Sequence, residues 1–322
     1  MHEFDIIGHF FQPRSYQRHD VVIGIGDDCA VTEVPEGQHL VTTTDTLVIG
    51  VHFPENTHPS AIAHKAVAVN LSDLAAMGAE PAWISLSLSL PSIDEDWVND
   101  FSRTLHELTE YYSIQLIGGD TVKGPLSITI TAQGFLPKEH ALTRSRAKPG
   151  DYIYVTGTLG DAALGLDVAL NKKALPMHHQ EFVRNRLDRP TPRVHAGTAL
   201  RRIAHSCIDI SDGLVSDIKH ILFASQVGAV IQVDKLPFSE AMQECTDKEE
   251  AIAYALAGGD DYELLFTLSE EQKGNLDIVL ANCNVPATCI GQLNGSAEKL
   301  ELKYHEQTYQ FTAQGFEHFV EE

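Results

Sequence analysis

Paired thiols, long apolar runs and basic patches are all missing from this sequence, and each absence removes a class of function. The five cysteines (Cys29, Cys207, Cys245, Cys283 and Cys289) are odd in number, scattered, and never spaced CxxC. A disulfide framework and a thiolate zinc site are thereby excluded. No stretch approaches the roughly 18 uninterrupted apolar residues of a membrane helix. Met1-His2-Glu3-Phe4-Asp5 has neither the basic nor the apolar region of a secretory signal. A reduced, cytoplasmic protein is expected. Lysine and arginine total 23 against 45 aspartates and glutamates, a formal charge of −22. That is the opposite of the basic stripe a nucleic-acid surface needs.

The common nucleotide signatures are missing too. There is no GxxxxGK[ST] loop, and Gly24-Ile25-Gly26 lacks the third glycine of a dinucleotide fingerprint. Kinase-type glycine-rich-loop and HRD motifs are absent. The 16 histidines include no HExxH pair, and His178-His179, in a polar stretch, reads as surface.

What remains is an ordinary globular composition, 43% apolar and 21% charged over 322 residues. Two domains are expected, residues 1–137 and 138–322, divided by the polar, basic segment that ends in Lys148-Pro149-Gly150-Asp151. Val21–Ile25 and His39–Val41 read as a hairpin turning at Pro35-Glu36-Gly37. His58–Met77 has helical apolar spacing with Gly78 as its C-cap. Trp83–Leu90 alternates Ile84, Leu86, Leu88 and Leu90 with serines, the pattern of a strand with one buried face. Its small polar face suits packing against a second subunit. Asp94–Tyr112 reads as an amphipathic helix, Asn171–Asp188 as a polar connection, and Leu214–Ser225 as a helix capped by Ser211-Asp212-Gly213.

One theme recurs: a short apolar strand ending in glycine or serine plus aspartate, at 26–28, 118–120, 209–213 and 258–261. A carboxylate is costly to bury unless paired or bound to a metal. Glycine at a strand end lets a ligand approach the backbone. Asp28, Asp45, Asp73, Asp120, Asp209 and Asp212 share this kind of placement, with Thr43 and Thr44 as neutral oxygen donors. Oxygen-only donors suit magnesium, which keeps phosphate oxygens and water among its ligands. The same residues also suit turns and helix caps. An acidic chain that binds phosphates needs cations between them, and this resolves the charge.

The ordered set GIGDD (24–28), TTD (43–45), KAVAVNLSDLAAMG (65–78), LIGGDT (116–121), DISDGL (209–214) and GGDDYE (258–263) resembles the thiamine-monophosphate kinase family. That family belongs to the superfamily of aminoimidazole ribonucleotide synthetase, and the resemblance runs from about residue 3 to about residue 319. It implies an α+β, two-domain fold whose N-terminal sheet forms a homodimer interface, with ATP and several Mg2+ held across the domain cleft. By resemblance, Asp28, Thr43, Thr44, Asp45, Asp73, Asp120, Asp209 and Asp212 are metal ligands. Tyr112, Gly119, Asp120, Arg144 and Ser211 touch ATP. His52, Glu263 and Phe316 bind thiamine monophosphate, and Asp27 and Asp260 stand behind the ligands. No residue is implied as a general base, and Arg144 is the candidate for direct charge assistance. Neither nucleic acid nor membrane is an expected partner.

Other readings stay open. A selenophosphate synthetase needs a reactive cysteine in an N-terminal loop, yet none precedes Cys29; a hydrogenase-maturation dehydratase needs a C-terminal one, yet the chain ends Phe319-Val320-Glu321-Glu322. A purine cyclo-ligase or a catalytically idle nucleotide-binding module remains an alternative.

Overall fold

A computed structural model describes residues 6–12 and 16–312. The chain divides into two compact units. One is formed by the residues up to Leu74 with Ala79–Glu139, the other by Ala75–Gly78 with the chain from His140 onward.

The first unit begins with one π-helical turn, Ile7–Phe11. Its strands are β1 (Val21–Ile23), β2 (Val31–Thr32), β3 (Gln38–Val48), β4 (Glu80–Leu90), β5 (Gln115–Lys123) and β6 (Ser127–Pro137), with helices α1 (Pro59–Ala76) and α2 (Glu95–Tyr111). The expected hairpin is corrected. Val21–Ile23 pairs with Val31–Thr32, and β3 pairs instead with β6 over its whole length, from Gln38↔Pro137 to Val48↔Ser127. The threonines at 42–44 account for the length of β3. β-branched residues favour extended backbone, so the strand runs through the TTD motif rather than stopping before it.

The main sheet has the order β3-β6-β4-β5. Ile84, Leu86, Leu88 and Leu90 of β4 and Ile128, Ile130 and Ala132 of β6 are buried on one face. The other face carries hydroxyls: Thr44 bonds Thr131 and Thr46 bonds Thr129, both at 2.8 Å. α1 is buried along nearly all its length, from Ala61 to Leu74, as a helix apolar on every side must be. It ends in a Schellman cap, with Ala79 N–H on Leu74 O at 2.8 Å and Gly78 N–H on Ala75 O at 2.9 Å. Gly78 supplies the positive φ of 72° that this turn requires. α2 starts at Asp94, whose carboxylate accepts the N–H groups of Asp96 and Trp97.

The second unit has strands β7 (Tyr152–Thr156), β8 (Ser206–Ile210), β9 (Gly228–Gln232), β10 (Glu263–Leu268), β11 (Ala287–Asn294), β12 (Leu300–Tyr304) and β13 (Gln307–Thr308). Its helices are α3 (Asp161–Ala169), α4 (Met177–Asp188), α5 (Val194–Leu200), α6 (Leu214–Ser225), α7 (Glu240–Cys245), α8 (Lys248–Ala257) and α9 (Lys273–Leu280). The sheet order is β13-β12-β9-β11-β7-β10-β8. Ile153, Val155, Ile208, Ile210 and Ile231 of the sheet pack with Leu214, Ile218, Ile221 and Leu222 of α6 in one core. Those α6 positions follow the helical repeat. α4 corrects the expected polar connection. Only His179, Val183 and Leu187 are buried along it, a one-residue-per-turn stripe too thin to register as an apolar period. Among the described residues, no helix is long and apolar enough to cross a membrane.

Candidate active site

In the first unit the acids fall into two groups. Thr43 and Asp45 project from β3 on its partly covered side, alternating with the exposed Thr42, Thr44 and Thr46. The Thr43 hydroxyl donates a short hydrogen bond to the Asp73 carboxylate. Burial, with the charge of Asp73 beside it, pushes the Asp45 carboxyl up to about 6. Two carboxylates crowded in this way fit a cation, and every donor here is an oxygen, the set magnesium takes. Thr44 does not join them, because its hydroxyl lies on the other face against Thr131.

Asp28, Gly119 and Asp120 line a second place, a cavity of about 560 Å³ floored by Leu86 and Leu116. Asp27, Asp28 and Asp120 are exposed there. The Asp28 N–H is held by the Asp27 carboxylate at 2.8 Å, a turn-forming contact that stands directly behind Asp28. Gly119 has to be glycine, since a Cβ would sit 1.9 Å from Leu86 O of the neighbouring strand. Gly119→Ala is therefore expected to break the β4–β5 pairing and destabilise the protein by about 2–3 kcal/mol, the upper range for forced overpacking; urea denaturation measures it.

Asp45 and Asp120 lie far apart on this sheet. Asp45, Ile130, Leu86 and Gly119 form one row across β3, β6, β4 and β5. Three inter-strand spacings put its ends roughly 14 Å apart. Asp120 belongs to the next row, opposite Ser87. The GGD motif also lies inside β5 rather than after it.

His52 accepts the Val48 N–H on Nδ1 at 3.0 Å, and its carbonyl accepts from buried Lys65 Nζ at 3.0 Å. Tyr112 caps α2, with its ring edge-on to Tyr111 at 4.8 Å.

In the second unit, Asp209 is buried near the end of β8, and Ser211 and Asp212 form the turn into α6. Gly213 has φ 109°, and a Cβ there would lie 2.8 Å from the Ala257 carbonyl carbon. Asp217, in the first turn of α6, went unnoticed in the sequence. Its carboxylate accepts the N–H groups of Ser211 and Asp212, both at 3.1 Å. Burial pushes it up to about 8, reinforced by the charges of Asp209 and Asp212. Three acids crowded at this end of the sheet oppose one another's ionisation, and a cation would relieve that. The available signal was an acid five residues beyond Asp212 in a helix's first turn. Arg144 is exposed in the one-turn helix Arg144–Arg146, and its carbonyl is anchored by Ser225 Oγ at 2.7 Å. Asp260 has φ 67°, and its N–H bonds Ser211 O at 2.8 Å, tying GGDDYE to DISDGL.

Glu263 is not the open carboxylate expected of a substrate contact. Its side chain is 1% exposed and bonds Arg193 Nε at 2.6 Å, Arg186 at 3.0 Å and Thr156 Oγ1 at 2.7 Å. Burial raises its carboxyl, but the Arg193 hydrogen bonds and the two guanidinium charges outweigh that and hold it below the usual range. Arg186 and Arg193 escaped notice because no motif marks them. Phe316 lies outside the described residues.

Residues 26–136 match the AIR synthase related protein, N-terminal domain, and residues 148–302 the C-terminal domain of the same family. The chain is 49% identical over 319 residues to the thiamine-monophosphate kinase of Escherichia coli K12, covering 99% of this chain and 98% of that protein. The crystal structure of thiamine-monophosphate kinase from Stenotrophomonas maltophilia K279a superposes with a TM-score of 0.84 at 44% identity, covering 91% of this chain and 93% of that one. AaThiL complexed with AMPPCP and TMP superposes with a TM-score of 0.78 at 32% identity, covering 92% of each chain. With two matched domains in order and near-complete coverage at this identity, the chain belongs to the thiamine-monophosphate kinase family.

Proposed function

We propose that this chain transfers the γ-phosphoryl group of ATP to the phosphate of thiamine monophosphate, giving thiamine diphosphate and ADP. The full-length match to thiamine-monophosphate kinases carries the reading, and the oxygen-only acid groups of both units support it. A phosphomonoester has a second pKa of about 6, so its oxygen is already ionised at neutral pH and needs no general base. The barrier is repulsion between anions, and catalysis reduces to alignment and charge neutralisation. When bound, Mg2+ would supply that neutralisation. In the first unit Asp28, Thr43, Asp45, Asp73 and Asp120, and in the second Asp209 and Asp212, are the residues we assign to hold Mg2+ ions. Thr44 would contribute through its backbone carbonyl, given where its hydroxyl lies.

Tyr112, Gly119, Asp120 and Ser211 are assigned to ATP, and exposed Arg144 to direct contact with phosphate. His52 and Phe316 are assigned to the thiamine phosphate. Glu263 would serve the cationic thiazolium through the field of its cluster rather than as a lone carboxylate. The hydroxyl face of β3, β6 and β4 is lined by small uncharged side chains, which suits pairing with a second copy of the sheet in a homodimer. A cytoplasmic location fits an ATP-dependent enzyme. Transfer is direct and in-line.

Purified protein with magnesium, ATP and thiamine monophosphate should yield ADP and thiamine diphosphate in equal amounts, read by chromatography. ADP release only with an aminated purine precursor would move the chain to the cyclo-ligases. Nucleotide binding without product would make it an idle module. A phosphohistidine or phosphoaspartate trapped during turnover would overturn direct transfer.

A further inference from the structure

Away from every residue assigned above, His178 and His179 open α4, and Glu244 lies near the C-terminal end of α7. Histidine in a helix's first turn gains nothing from the macrodipole, which favours acids there. The two rings are therefore not explained by capping. His179 is buried and its Nε2 lies 2.8 Å from Glu244 Oε2. The ring of His178 sits 3.9 Å from that of His179, tilted by 43°. One ligand atom from each of the three residues falls within 4.8 Å of the other two.

We propose that His178, His179 and Glu244 form a binding site for a transition-metal ion of the zinc class. Zinc takes imidazole nitrogen and carboxylate oxygen at ~2.0–2.2 Å in a tetrahedron, which sets donors roughly 3.3 Å apart. His179 and Glu244 already stand 2.8 Å apart and the third donor lies within 4.8 Å of both, so a bound ion needs only small side-chain movements. Two imidazoles and one carboxylate carry a single negative charge and leave a fourth position for water. Imidazole nitrogen selects zinc, cobalt, nickel or copper over magnesium, which prefers oxygen. The chain would thus hold two classes of metal on separate elements.

The scaffold is rigid where it needs to be. Val183 of α4 packs with Ala241 and Met242 of α7 in one apolar cluster. Ser239 caps α7 by accepting the Met242 N–H at 3.1 Å and donates to buried Asp161. The mouth is open, because His178 is exposed and the Glu244 side chain is 59% exposed. An ion there would tie α4 to α7 and stabilise the folded state by mass action.

The test uses the full chain without a histidine tag, stripped by chelator and held in excess Mg2+, titrated with ZnCl2 by calorimetry and with CoCl2 by visible absorption. Wild type should bind one more zinc ion than either His178→Ala or Glu244→Gln, or bind it at least tenfold more tightly. Its thermal midpoint should rise with zinc while theirs does not. Both substituted side chains are exposed, so both variants should match wild type in chelator. No zinc uptake by wild type, equal uptake by the variants, or displacement by Mg2+ would each overturn the proposal. The outcome is independent of kinase activity.

Discussion

Asp45→Asn should lower turnover at least about a hundredfold, beyond the 10–100-fold typical of losing a group that only supports a metal ligand. The same substitution should make the metal-free protein more stable. Both effects follow from one arrangement. Asp45 is held on β3 beside Asp73, and burial with that neighbouring charge raises its carboxyl to about 6. A carboxyl whose folded value exceeds its unfolded one works against folding at neutral pH, because the unfolded chain ionises it more easily. Asparagine keeps the shape and removes the charge, so ~1–3 kcal/mol of stability should be regained. Turnover at saturating magnesium tests the first effect, and urea denaturation in chelator the second. Near-normal turnover would remove Asp45 from the metal site. Unchanged stability would mean that the two carboxylates do not oppose each other.

That tension between function and folding was partly legible in the sequence. An acid next to threonines in an apolar run asks for a reason, and the TTD and NLSD motifs do come together through Thr43 and Asp73. The alternation of β4, the span of α1 and the start of α6 at Leu214 were also readable, since period and caps are local properties. Pairing is not local. Which partner Val21–Ile23 takes is not encoded in any local period: β1 joins β2, while β3 takes β6, some ninety residues further along the chain, over its full length. Side also hinges on continuity: once the strand runs through 42–46, Thr43 and Thr44 must face opposite ways. The sequence motif treats them alike, and the pleat separates them. The arginine cluster was invisible for a different reason. Arg186 and Arg193 sit in a polar segment and meet Glu263 only after α4 forms, and α4 itself shows almost no apolar period.

That cluster yields the second large effect, because two acids two residues apart in it should respond oppositely to the loss of their charge. Glu263→Gln should destabilise the protein by about 3–5 kcal/mol, the cost of leaving a buried ion pair half unmade. Arg193 would lose the Glu263 charge, and so would Arg186, which keeps Asp161 at 3.7 Å. Asp261→Asn should do the reverse as pH rises. Asp261 is buried and accepts the Gly160 N–H at 2.7 Å; burial outweighs the help of Arg186 and pushes its carboxyl up to about 8. The folded state therefore holds a proton that the unfolded chain gives up near the ordinary carboxyl value. The stability Asp261 contributes is complete below about pH 4 and is lost as pH climbs to about 8, at no more than ~1.4 kcal/mol per unit. Asparagine does not titrate, so the advantage of Asp261→Asn over wild type should grow across that window and level off above it. Glu263 has the opposite sign: its folded value is lowered, so its contribution is present above the unfolded glutamate value and fades as pH falls through the folded one. Urea denaturation of the three proteins from pH 4 to pH 9 separates the two. If Asp261→Asn tracks wild type at every pH, Asp261 is ionised in the folded protein and Arg186 is shared among three anions. If Glu263→Gln costs under about 1 kcal/mol, water rather than Glu263 satisfies the arginines.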